Sequence, residues 1–167
     1  MRSPTLLLLC LPCVLPLKAT EKPKIFNTQE LTIPFLKPTE ALKAITVPKG
    51  FRVQLSSAEP MVQQPIAMTW DARGRLWIAE CYTYAERKIN FETKLKDRII
   101  ILEDTNQDGV FAKRKVFWDG ARQLAGIEIG FSGGWVACAP ETLFIPVATG
   151  DDLPDGTPQP ILDAFEH

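Results

Sequence analysis

The stretch from Arg98 to Gly109, continued as far as Gly120, restricts the fold more than any other part of the chain. An aliphatic run, Ile99-Ile100-Ile101-Leu102, enters a loop with oxygen-bearing side chains at alternate positions, Asp104, Asn106 and Asp108. The loop closes on Gly109, and a second apolar run, Val116-Phe117-Trp118, leaves it. A short aliphatic run bounded by Asp, Asn and Gly reads as a buried strand. The unit is therefore strand, acidic loop, strand. The loop fits the alternating Asp/Asn pattern of calcium loops, with Asp104, Asn106 and Asp108 as ligands, Gly109 for the sharp turn and Val110 able to add its carbonyl. It is not an EF-hand, because Lys115 stands at the twelfth position where a bidentate Glu is needed. Calcium takes about 6–8 oxygens, so water or another segment must complete the shell. An Asx-rich turn without an ion is the equally open alternative.

The same pattern recurs. Pro65–Trp70 and Leu76–Glu80 flank the turn Asp71-Ala72-Arg73-Gly74 and read as a hairpin. With Arg98–Glu103 and Val116–Trp118 they make a four-stranded set. Gly126–Phe131, Gly134–Ala137, Leu143–Ile145 and Ile161–Ala164 echo these strands in order, and Thr149–Gly156 echoes the acidic loop. The spacing is about 58 residues between Trp77 and Trp135 and about 44 between the closing strands. A four-stranded set repeated at such an interval is the signature of propeller blades. Two blades leave faces and edges uncovered, so the chain reads as a fragment of a longer product or as one that needs a partner. Upstream, Pro38–Ile45 reads as one or two helical turns, with Pro38 at the first position. Phe51–Leu55 alternates like a half-buried strand. Trp70, Trp77, Trp118 and Trp135 fall at strand positions and read as core. Lys113-Arg114-Lys115 reads as a solvated face.

Arg2 followed by the apolar run Leu6–Leu17 has the layout of a secretory signal ending near Ala19. The run is short for a bilayer and is broken by Pro12 and Pro16, so no transmembrane span is expected after cleavage. Export, periplasmic or extracellular, is the expected localisation. Cys10-Leu11-Pro12-Cys13 lies inside that signal and is followed by Val14, so it is neither a redox pair nor a haem c site. Cys81 and Cys138 remain; an oxidising compartment permits a bridge between them, and two buried thiols are the alternative. A net charge of -1 over 167 residues gives no electrostatic reason to expect nucleic acid. Fourteen prolines and ten glycines suit short strands and turns.

Phe51–Leu55, Ala58–Pro65, Trp70–Trp77 and Ile101–Gly109, with Phe144-Ile145-Pro146 through Gly150-Asp151-Asp152, together resemble the start of the propeller in PVC-type haem-binding CxxCH proteins. These are also described as a membrane-bound dehydrogenase domain family. The resemblance runs from about Pro38 to His167. It implies kinship with soluble glucose and sorbosone dehydrogenase propellers, which are quinoprotein oxidoreductases, and with longer relatives that carry haem c and a quinone cofactor. The sequence after the signal holds no Cys-x-x-Cys-His, and in the second acidic loop Val147 and Thr149 stand where the family places Asp. His167, the only histidine, invites the hydride-abstracting role of quinoprotein enzymes but reads as a frayed terminus.

The expectation is thus an all-β, incomplete β-propeller of about two four-stranded blades. A signal peptide (1–19) and an extended N-terminal arm with a short helix (20–50) precede a first blade (51–120) and a second, incomplete blade (121–167). The expected function is that of the N-terminal fragment of an exported propeller dehydrogenase-like protein, inactive by itself, with the missing remainder of the propeller as partner. No catalytic residue is assigned, and a sugar-like substrate belongs only to the full-length family. The alternative is a non-enzymatic, calcium-stabilised propeller module that binds a carbohydrate or a protein.

Overall fold

The computed structural model describes residues 35–84, 91–92, 94–148 and 152–163. All but Phe35 belong to one compact unit, Leu36–His167. The signal segment, most of the arm and His167 lie outside the described residues.

A short helix, α1 (Pro38–Ala44), opens the unit with Pro38 in its first turn, and the Glu40 carboxylate accepts the Lys37 N–H at 3.1 Å. Eight strands follow. Four, β1 (Pro65–Trp70), β2 (Leu76–Glu80), β3 (Asp97–Glu103) and β4 (Lys113–Ala121), form one antiparallel sheet in the order β1-β2-β3-β4. The other four, β5 (Leu124–Gly130), β6 (Gly133–Cys138), β7 (Glu141–Pro146) and β8 (Gln159–Asp163), form a second sheet in the order β5-β6-β7-β8. The all-β expectation holds, and so does the division into two four-stranded meanders.

The registers match position for position. Thr69, Trp77 and Ile101 lie side by side in the first sheet, as Glu128, Trp135 and Phe144 do in the second. One residue along, Met68-Ile78-Ile100 corresponds to Ile127-Val136-Leu143, and Trp70-Leu76-Leu102 to Ile129-Gly134-Ile145. Because side chains alternate between faces, each sheet has a Trp face and an aliphatic face. The Trp face of the first sheet (Trp77, Ala79, Ile99, Ile101, Phe117) packs on the aliphatic face of the second (Ile127, Val136, Leu143, Ile145) in one core. Trp77 meets Phe117 edge-on at 4.8 Å between ring centres.

Three expectations need correction. Phe51–Leu55 alternates but pairs with no strand among the described residues, and Phe51 is exposed. The chain beyond it covers the aliphatic face of the first sheet, where Met61 and Val62, with Phe111, pack on Leu76, Ile78, Ile100 and Leu102. Trp70 is exposed rather than core, because it stands on the edge strand with only Phe111, at 6.1 Å between ring centres, against it. Arg114 is not a solvated lysine-like residue. It reaches across to Glu80, which is fully buried, at 2.9 Å.

Candidate functional site

In an antiparallel meander the β1–β2 and β3–β4 connections share one end, as do β5–β6 and β7–β8, and both sequence-marked acidic loops lie at this end. The first loop brings Asp104, Asn106 and Asp108 together. The Asp104 carboxylate accepts the N–H of Gly109 at 2.7 Å and of Asp108 at 3.3 Å, and Asp108 accepts the Val110 N–H at 2.8 Å. The Asn106 amide donates to the Asp108 carboxylate at 2.9 Å. Gly109, at a φ of 86°, makes the turn that aims these N–H groups inward. Gln54 donates to the Asp108 carbonyl at 2.7 Å and ties the loop to the covering segment. The loop is therefore a self-satisfied Asx turn. Two carboxylates and an amide also fit a hard cation such as calcium, which prefers oxygen donors, once the Asn106 amide turns its oxygen inward. Among the described residues no group of three or more His, Cys, Asp or Glu side chains is arranged to hold a metal.

The second loop works differently. Asp152 turns back onto the first sheet, where its carboxylate accepts from Arg75 at 2.6 Å and from Arg73. Arg75 also pairs with Asp71 at 2.8 Å, and Asp71 accepts the Trp77 indole N–H at 2.9 Å. Asp71, Arg73, Arg75 and Trp77, with Ile129, Ser132 and Val147, line an open cleft of about 510 Å³ between the two sheets. Burial pushes the Asp71 carboxyl up, but the bonds from Trp77 and Arg75 outweigh it and hold the group below its ordinary value. The hydrogen bond from Arg75 lowers Asp152; burial opposes it, Arg73 adds to it, and the carboxyl settles at about 2. Both acids stay ionised near neutrality and are spent on ion pairs. A general base needs a carboxylate that takes up protons near working pH, and neither is one.

Two buried groups invisible to motif reading hold the architecture. Asp97, wholly buried, accepts the Thr83 N–H (2.6 Å), the Thr83 hydroxyl (2.7 Å) and the Leu124 N–H (2.9 Å), fastening the end of the first sheet to the start of the second. Glu80 accepts the Gln63 N–H at 2.9 Å and the Tyr82 hydroxyl at 2.7 Å besides its Arg114 pair, while Arg114 donates to the Met61 carbonyl at 3.0 Å. That cluster clamps the covering segment down. Cys81 and Cys138 are separate free thiols, both buried. Burial raises each pKa above its ordinary value, so neither is a ready nucleophile. Cys138 Sγ donates to the Arg122 carbonyl at 2.8 Å.

These features define an all-β protein made of one meander used twice. Residues 37–163 match the family model described as a domain of unknown function, DUF7133, and the chain belongs to that family. No curated protein and no solved structure matches it. Among the described residues no helix is long and apolar enough to cross a membrane.

Proposed function

We propose that this chain is the N-terminal part of an exported β-propeller of the PVC-type, dehydrogenase-like group, and that its two sheets serve as ring scaffold. The electron-transfer chemistry then belongs to other parts of the longer relatives. The observation that supports this is the repeated stacking. The Trp face of one meander is buried on the aliphatic face of the next, and Trp135 and Phe144 on the Trp face of the second meander are only half-buried. Haem c is not carried by the described residues, since Cys81 and Cys138 stand far apart in sequence and neither begins a Cys-x-x-Cys-His. The ionised, paired state of Asp71 and Asp152 also supports a structural role for the cleft.

The test compares this chain with a product that continues into further propeller strands. With a sugar and a dye acceptor, the longer product is expected to reduce the dye and this chain is not. Acrylamide quenching should find Trp135 shielded in the longer product. Turnover by the short chain, or an equally quenchable Trp135 in both, contradicts the proposal.

A second reading is a non-enzymatic, calcium-stabilised module that binds a carbohydrate or protein; the convergence of Asp104, Asn106 and Asp108 favours it. When bound, calcium would cross-link the two ends of that turn. Calcium is then expected to raise the melting temperature and Asp108→Ala to remove the rise, whereas identical melts in calcium and in chelator contradict it.

A further inference from the structure

We propose that a cleft between β4 and the β7–β8 side of the second sheet binds a pyranose sugar, stacked on Trp118. The inference rests on the carbohydrate option of the second reading above and gives it a place. The cleft holds about 430 Å³, within the roughly 300–1,000 Å³ of small-molecule sites. Both walls are described: Trp118, Gly120 and Arg122 on one side, Glu141, Thr157 and Pro160 on the other. Trp118 is only half-buried, with part of its ring packed on the core. A Cβ at Gly120 would stand 2.7 Å from the indole nitrogen and 2.8 Å from two of its ring carbons. Glycine two positions along the strand therefore lets the indole lie against the backbone, where any other residue would push it away.

The polar groups of this cleft are uncommitted. The Trp77 indole N–H is taken by Asp71 at 2.9 Å, whereas among the described residues no group accepts the Trp118 N–H. Arg122 and Glu141 bring opposite charges to the same walls, yet among the described residues no ion pair joins them. In the other cleft between the sheets, Arg73, Arg75, Asp71 and Asp152 satisfy one another. An aromatic plane flanked by free donors and an acceptor, with no net charge, suits a neutral ring that carries hydroxyls at its edge. A pyranose has that form. Its C–H face stacks on the indole, while its hydroxyls accept from Trp118 and Arg122 and donate to Glu141. Glu141 repels a phosphate, and an alkyl chain would strip water from both charges without replacing its hydrogen bonds.

The experiment is saturation-transfer NMR on the full chain, with affinities from titration. The probes are methyl β-glucoside, cellobiose, maltose and chitobiose, beside sorbitol, an acyclic polyol with no flat face, and alanine, a zwitterion matched to the two charges. At least one sugar is expected to bind, with saturation strongest at the C–H protons of one ring face, and sorbitol and alanine to bind far more weakly. Trp118→Ala is expected to weaken binding by at least about tenfold, as loss of a stacked ring does. Arg122→Ala, at an exposed position, is expected to weaken it about threefold while leaving the circular dichroism melt unchanged, so the proposal stays testable if Trp118→Ala folds poorly. Trp70→Ala, away from the cleft, should leave binding as it was. Sugar binding that survives Trp118→Ala or Arg122→Ala overturns this site and leaves the carbohydrate-binding reading standing. Binding of sorbitol or alanine as tight as that of the sugars overturns the pyranose assignment. No binding of any sugar overturns both the site and the carbohydrate option, and the calcium melts read the rest of that second reading by themselves.

Discussion

The two sheets share strand order and register yet differ in what covers them. In the first, the aliphatic face lies under the clamped segment and the Trp face under the second sheet. In the second, the aliphatic face is buried, while Trp135 and Phe144 on the Trp face are only half-buried. The pair therefore shows the same local sequence logic with and without a neighbour. What differs is whether the aromatic row meets a partner, and the hydrogen-bonded ladders form in both cases. Strand formation here follows from alternation and turns; burial follows from stacking.

The strongest way to break the comparison is at the matched tryptophans. Trp77→Ala is expected to destabilise the chain by about 3–5 kcal/mol, because it empties a filled core position and leaves Asp71 short of a donor. Next comes the clamp. Glu80→Ala leaves Arg114 without its buried partner and is expected to cost roughly 3 kcal/mol. In the second sheet Cys138 holds the equivalent position and no covering segment needs fastening, so Cys138→Ala should cost about 1 kcal/mol. Urea titrations read all three.

Much of this was legible in advance. Ile99–Leu102 and Val116–Trp118 announce strands by aliphatic and β-branched runs, Gly74 and Gly109 mark the turns, and the Trp77–Trp135 spacing announces the repeat. What escaped reading depends on distant partners. Arg114 sits in a run of three cations and looks solvated; only the fold brings it under Glu80, 34 positions away in sequence. Asp152 looked like the remnant of a weak calcium loop, and nothing local signals that Arg75, 77 positions earlier, will claim it. Phe51–Leu55 shows the reverse failure: the segment alternates, yet among the described residues no strand pairs with it.

The ion pairs that bridge the sheets give a smaller, pH-dependent effect. The Asp152 carboxyl is held at about 2 in the folded chain against an ordinary 3.8. Its folded value lies below its unfolded value, so its contribution is complete above about pH 4 and fades as pH falls toward 2. After allowance for solvent at the open cleft, roughly 1–2 kcal/mol is expected to disappear over that window. Asp152→Asn should flatten this part of the stability profile, and an unchanged profile contradicts the assigned pairing. In the absence of calcium, Asp104→Ala is expected to cost about 1 kcal/mol, since it strips the Asp108 and Gly109 N–H groups of their acceptor at a partly wet loop.

The half-buried Trp face of the second sheet tests the account most directly. Trp135→Ala is expected to cost this chain about 1–2 kcal/mol, less than Trp77→Ala, because Trp135 is only half-buried against Phe144. In a product extended by the next propeller strands, the same substitution should cost about 3–5 kcal/mol, as Trp77→Ala does here. An equally small cost in both would mean that no third sheet seats on Trp135, and the stacked-repeat account would be wrong.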